Sequence, residues 1–164
     1  MSNNTLTEQH SLRVSSRGQA EPMLKVTAFS IGNLNLALPI VSIYKVLNHT
    51  QVHGSGLNSV GIAYIEEREL TVVDLHRRLL GTGAPTQARY LIVIQNQIQE
   101  LYGIPVLEIP VLMEVPLSRI RVLPESYRRA DTLSIASHVA LIHQMDAALT
   151  LFLLDVEQIL PQAF

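Results

Sequence analysis

Six histidines and fourteen acidic residues are the side chains of this 164-residue chain with the chemistry to hold a metal or move a proton. His49 and His53 stand four apart, but Gly54 and Gly56 place them in a loop rather than on one helix face, and no third ligand is near them in sequence. A structural zinc takes four ligands, so the pair falls short. His138 and His143 are five apart in an extended stretch, which sends them to opposite faces. No metal or other cofactor is expected. Serine, histidine and aspartate are all present, but no nucleophile elbow and no phosphate-cradling glycine loop accompanies them. Asp74 and Asp155 each precede a short helical pattern, and a carboxylate there accepts from the free N–H groups of the first turn, so capping accounts for both. No catalytic residue is assigned, and the chain reads as something other than an enzyme.

What remains is contact chemistry. The run Glu66-Glu67-Arg68-Glu69 forms a charged tip between two apolar stretches, Val60 to Ile65 and Leu70 to Val73. Ile43 and Lys45 follow Pro39 closely and, by strand alternation, share a face. Tyr127-Arg128-Arg129 is a second charged group, read as solvated. A net charge of −2 gives no positive field for a nucleic acid, and with 5% aromatic residues and no tryptophan there is little to stack a base or a sugar on. The absence of cysteine fits a reducing cytoplasm. No apolar run approaches the length of a bilayer crossing, and Met1 to Ala20 lacks a secretory core, so neither membrane insertion nor export is expected.

The elements that must hold these residues are short. Residues 1–22 are polar and aperiodic and read as a disordered tail. From Met23 the pattern alternates through a turn at Gly32-Asn33 to Pro39, which lacks an N–H and forces a bend or one helical turn over Ile40 to Ser42. Ile43 to Leu47 extends again. Asn48 to Ser59 is a loop, and the hairpin tipped by Glu66-Glu67 ends at Asp74, whose helix stops at Gly81. Tyr90 to Ile94 is a continuous apolar run suited to a strand buried on both faces, turning at Gln95 to Gln99 into Leu101 to Val106. Ile109 to Val115 extends, Leu117 to Ile120 allows one helical turn, and Glu125 to Thr132 is polar. A last hairpin, Leu133 to Ile142 and Leu149 to Leu154, closes at Gln144-Met145-Asp146 before a short helix to Leu160.

The order of events occurs twice. Ala37-Leu38-Pro39-Ile40 aligns on Gly103-Ile104-Pro105-Val106 at an offset of 105 − 39 = 66, and Asp74 aligns on Asp155 at an offset of 155 − 74 = 81. The growth from 66 to 81 implies an insertion in the second copy, placed at Glu114 to Thr132. The fold expected is mainly β: two small β-barrel subdomains side by side with short capping helices, the first over about 24–81 and the second over about 88–160; that they are SH3-like and five-stranded is what the family resemblance carried by the residues quoted next implies.

Leu36-Ala37-Leu38-Pro39-Ile40, Ile43-Tyr44-Lys45-Val46, Gly61 through Leu75, Gly103 through Ile109 and Leu153 through Leu160 together resemble the CheW family, the adaptors of bacterial chemosensory arrays. The resemblance covers residues 24–160 and implies a CheW-like domain over 23–164. It implies a non-enzymatic scaffold coupling the cytoplasmic tip of a methyl-accepting chemoreceptor to a CheA-type histidine kinase, in chemotaxis, phototaxis or twitching motility. Protein-binding residues carried over in this way are Ile43, Lys45, Tyr64, Glu66, Glu67 and Leu107. The chain departs from the family's pattern at three of these motifs: its turn N-L-R-G becomes Tyr64-Ile65-Glu66-Glu67, the acidic residue of V-x-E-V becomes Lys45, and the Asp of V-D-x-V becomes Leu107. Swapped charges at a contact reject an old partner as strongly as they select a new one, which implies a dedicated complex. The alternative, a small β-barrel binding a ligand or a nucleic acid, requires a basic, aromatic groove.

Overall fold

The computed structural model describes residues 20–48, 52–54, 60–81, 88–128 and 133–160. The expected tail lies outside these except for its last three residues, as do His49 and the connector 82–87. Among the described residues twelve strands form two six-stranded sheets. The first part of the chain gives β1 (Met23–Ile31), β2 (Leu34–Pro39), β3 (Ile43–Asn48), β4 (His53–Gly54), β5 (Val60–Ile65), β6 (Arg68–Val73) and helix α1 (Leu75–Leu80). The rest gives β7 (Tyr90–Gln95), β8 (Leu101–Val106), β9 (Val111–Pro116), β10 (Ile120–Val122), helix α2 (Glu125–Arg128), β11 (Ala136–Gln144), β12 (Ala147–Leu154) and helix α3 (Val156–Ile159). Single 3-10 turns over Ile40–Ser42 and Leu117–Arg119 follow Pro39 and Pro116, as a residue without an N–H at a strand's end allows.

The two sheets are not the two halves of the chain. Sheet I runs β10-β11-β12-β2-β1-β9, and sheet II runs β3-β7-β8-β6-β5-β4. Each copy of the repeat therefore gives its first hairpin to the other copy's sheet: β1–β2 joins β9 to β12, and β7–β8 joins β3 to β6. This corrects the division at 24–81 and 88–160, and it corrects the strand number from five to six, the two-residue β4 and three-residue β10 completing the sheets. Each exchange rests on one antiparallel and one parallel pairing between the copies: β1–β9 and β2–β12 in sheet I, β3–β7 and β6–β8 in sheet II. Thr71 and Val72 lie against Tyr102 and Gly103, while Phe152 and Leu153 lie against Leu36 and Ala37. Since 152 − 71 = 81 and 102 − 36 = 66, the two offsets read from the sequence are those that relate one pairing to the other. The repeat is real, and its halves interlock.

Alternation divides the apolar side chains into three clusters. Leu91 and Val93 of β7 point into sheet II, with Ala63, Ile65, Leu70 and Val72, while Leu151 and Leu153 of β12 point into sheet I, with Val26, Ala37, Val115 and Ala140. Their neighbours Ile92, Ile94 and Leu154 face the other way, into a shared core with Phe29, Leu36, Leu38, Ile104 and the helix residues Leu75, Leu79 and Ile159. That is why Tyr90 to Ile94 reads as an unbroken apolar run: it is covered on both faces. Gly103 is small for the same reason, because a Cβ there would lie 2.8 Å from Leu70 Cδ1 and 2.9 Å from Leu91 Cδ1.

The insertion lies between β10 and β11. Residues 123–135 make that connection, against 55–59 between β4 and β5, so the extra chain falls later than the expected start at Glu114. Leu123 and Ile135 anchor its two ends in the shared core, and α2 occupies part of the stretch read as plain polar chain.

Both capped helices form as expected. The Asp74 carboxylate accepts from the Arg77 N–H at 3.2 Å, Gly81 ends α1 at φ 77°, and the Asp155 carboxylate accepts from the Glu157 N–H at 3.0 Å. The Arg78 guanidinium then reaches from α1 to the end of α3, donating to the Ile159 carbonyl at 2.6 Å and the Gln158 carbonyl at 2.9 Å.

Candidate protein-binding surface

The β5–β6 hairpin turns in two residues, Glu66 at φ 50° and Glu67 at φ 65°. Positive φ at both positions defines a type I′ turn, whose twist suits a hairpin and whose ordinary occupants are Asn and Gly. The turn thrusts both carboxylates outward. From β3, across the sheet, Lys45 reaches the same place, and its ammonium hydrogen-bonds the Glu66 carboxylate in an exposed ion pair. Lys45, by that hydrogen bond and by its charge, holds the Glu66 carboxyl below the usual carboxylate range, and Arg68 adds a little. The ammonium also stands 5.6 Å from the centre of the Tyr44 ring, close enough for a cation–π contact. Tyr64, two residues before Glu66 on β5, is 62% exposed.

Four of the residues singled out in the sequence thus share one surface: Lys45 with Glu66 in the pair, Glu67 in the turn and Tyr64 beside it. Ile43 does not join them. A register shift separates Ile43 from Lys45, and Ile43 is partly buried against the shared core, so simple alternation fails at this strand. Leu107 stands exposed in the bend after β8 and takes no part in the ion pair. Sequence reasoning passed over Tyr44 and Val41. Val41 is 90% exposed at the middle of the 3-10 turn after Pro39, and the offset of 66 makes it the counterpart of Leu107. That alignment was the available signal, since an apolar residue in both copies of an exposed bend serves no core.

Elsewhere the chemistry is sparse. Among the described residues there is no group of three His, Asp or Glu that could hold a metal ion. His76 is buried on α1 with its Nδ1 unpartnered among the described residues and 3.9 Å from the Asp74 carboxylate. A polar groove of about 260 Å³ lies among Ser42, Asn96, Gln97, Asp155 and Glu157. No helix among the described residues is long and apolar enough to cross a membrane.

A family model for the CheW-like domain matches residues 25–164. No curated protein matches the chain. Among solved structures, the crystal structure of the scaffolding protein TtCheW from Thermoanaerobacter tengcongensis is similar in fold, with a TM-score of 0.66 and 16% sequence identity over 82% of this chain and 90% of that one.

Proposed function

The chain belongs to the CheW-like domain family, and from that premise we propose that it is a non-enzymatic adaptor that holds a CheA-type histidine kinase beside the cytoplasmic tip of a methyl-accepting chemoreceptor. The observation that carries this reading is the Lys45–Glu66 pair. These are two of the positions at which the chain reverses the family's charges, and they meet each other: the acid and the base of one contact have changed places. A pair kept with its polarity inverted is what a contact surface looks like after it and its partner have changed together. The exposed Tyr44 and Tyr64 supply apolar area next to it, and area of that kind is what docking buries, while the charges decide which partner docks.

On this reading the contact residues are Lys45, Tyr64, Glu66 and Glu67, extended by Val41 and Tyr44, with Leu107 marking the equivalent bend of the other copy. Ile43, packed against the shared core, stands apart from them. The protein works in the cytoplasm, in a chemotaxis, phototaxis or twitching-motility pathway whose kinase and receptor carry charges suited to the inverted pair.

The test is capture of the kinase and receptor encoded beside this gene. Glu66→Arg sets two cations against each other and is expected to weaken binding by about tenfold or more while the melting temperature stays nearly unchanged, because exposed charge pairs contribute little to folding. The double reversal Lys45→Glu with Glu66→Arg restores a pair of the family's polarity without restoring the cognate partner. Wild-type protein that captures neither kinase nor receptor would overturn the proposal. So would a double variant that binds as wild type does.

A further inference from the structure

A second surface lies at the far edge of sheet I. Arg121 of β10 is paired with Val139 of β11, and paired residues project to the same side of a sheet. Leu141, two further along β11, shares that side. With Ser118 and Arg119 from the preceding turn they line a groove of about 380 Å³. Its floor is aliphatic: Val139 packs at the margin of the shared core, and Leu141, beyond that margin, is 54% exposed. Its wall is cationic. Arg121 donates to the Ser118 carbonyl at 2.9 Å, which fixes the guanidinium over the groove, and Arg119 is exposed. Among the described residues neither arginine has a carboxylate partner, and Glu21 at the rim accepts from the Ser118 hydroxyl instead. In a chain of net charge −2, two unpaired arginines over an apolar floor are a local excess of positive charge.

We propose that this groove docks an acidic amphipathic helix of a partner protein. The aliphatic floor receives the helix's apolar stripe, and two of its carboxylates meet Arg119 and Arg121. Arginine presents a planar fork that a carboxylate can meet with two hydrogen bonds, which suits this role better than lysine would. A nucleic acid fits less well, because it would leave the aliphatic floor without a counterpart and would find no aromatic face among the lining residues. The groove belongs to sheet I and the Lys45–Glu66 pair to sheet II, so the two surfaces can be occupied independently.

The experiment is calorimetric titration of the full chain with a synthetic helix carrying leucines on one face and glutamates beside them. Parallel titrations use the same helix with lysines for glutamates, phosphatidylglycerol vesicles and a single-stranded oligonucleotide. Saturable binding of the glutamate helix is expected, weakened at least about tenfold in Arg119→Glu/Arg121→Glu and also in Leu141→Asp, with Glu66→Arg leaving it unchanged. Both arginines are exposed, so the double variant should fold, which its melting temperature will confirm. Equal binding of the lysine helix, or no loss in either variant, would overturn the proposal. Preference for the vesicles or the oligonucleotide would also overturn it, assigning the arginines to a phosphate partner.

Discussion

Glu67 is the residue where local cost and family pattern meet. Its φ of 65° is a conformation that costs an L-residue with a Cβ about 1 kcal/mol, and it stands where the resembling family has glycine. Glu67→Gly is therefore expected to raise unfolding free energy by about 1 kcal/mol in urea, since glycine enters this region freely. A glycine variant no more stable than wild type would show that the carboxylate holds the turn by some other means. The same strained geometry recurs at Met145 (φ 46°) and Asp146 (φ 66°) in the matching hairpin, so neither copy uses the easy residues. The turn was legible in the sequence as a charged tip. That Lys45 would meet Glu66 was not, because alternation tells which face a side chain takes and says nothing about which distant strand it reaches.

At the scale of the element, α1 carries a charge problem inside a helix that is otherwise well capped. His76 is buried beside the cap, and burial holds its pKa below the ordinary histidine value, with the Asp74 carboxylate pulling weakly the other way. A group whose folded pKa is depressed is protonated first in the unfolded chain. Stability is then full above about pH 6.5 and declines as pH falls toward the folded value. Unfolding free energy measured at about pH 7.5 and 5.5 should fall more for wild type than for His76→Gln, and equal slopes would remove His76 as the cause. Elements of this kind were the most legible part of the chain. Hairpin turns, the bends after proline and both Asp caps follow from residues within a few positions of each other. The short α2 was missed because nothing in Glu125 to Thr132 is periodic enough to mark four helical residues.

The whole molecule is where sequence reading went astray. Chain order suggested two barrels in succession, and the structure trades hairpins between them. Strand patterns fix burial but not partners, and a parallel neighbour far along the chain leaves no local signature. Besides the shared core and the strand pairings between the copies, the Arg78 bridge from α1 to the last carbonyls of α3 joins the interlocked halves. Arg78→Ala is expected to cost about 1–3 kcal/mol of unfolding free energy, and Arg78→Lys, which cannot span both carbonyls, should recover less than half of it. A loss below about 0.5 kcal/mol would mean that the bridge is incidental and that the shared core and the strand pairings keep the halves together.

The traded hairpins also bear on descent and on engineering. Neither half can be deleted, transplanted or allowed to drift freely, because each supplies two inner strands of its sibling's sheet. A single copy on its own would leave those strands without the neighbours that pair with them here.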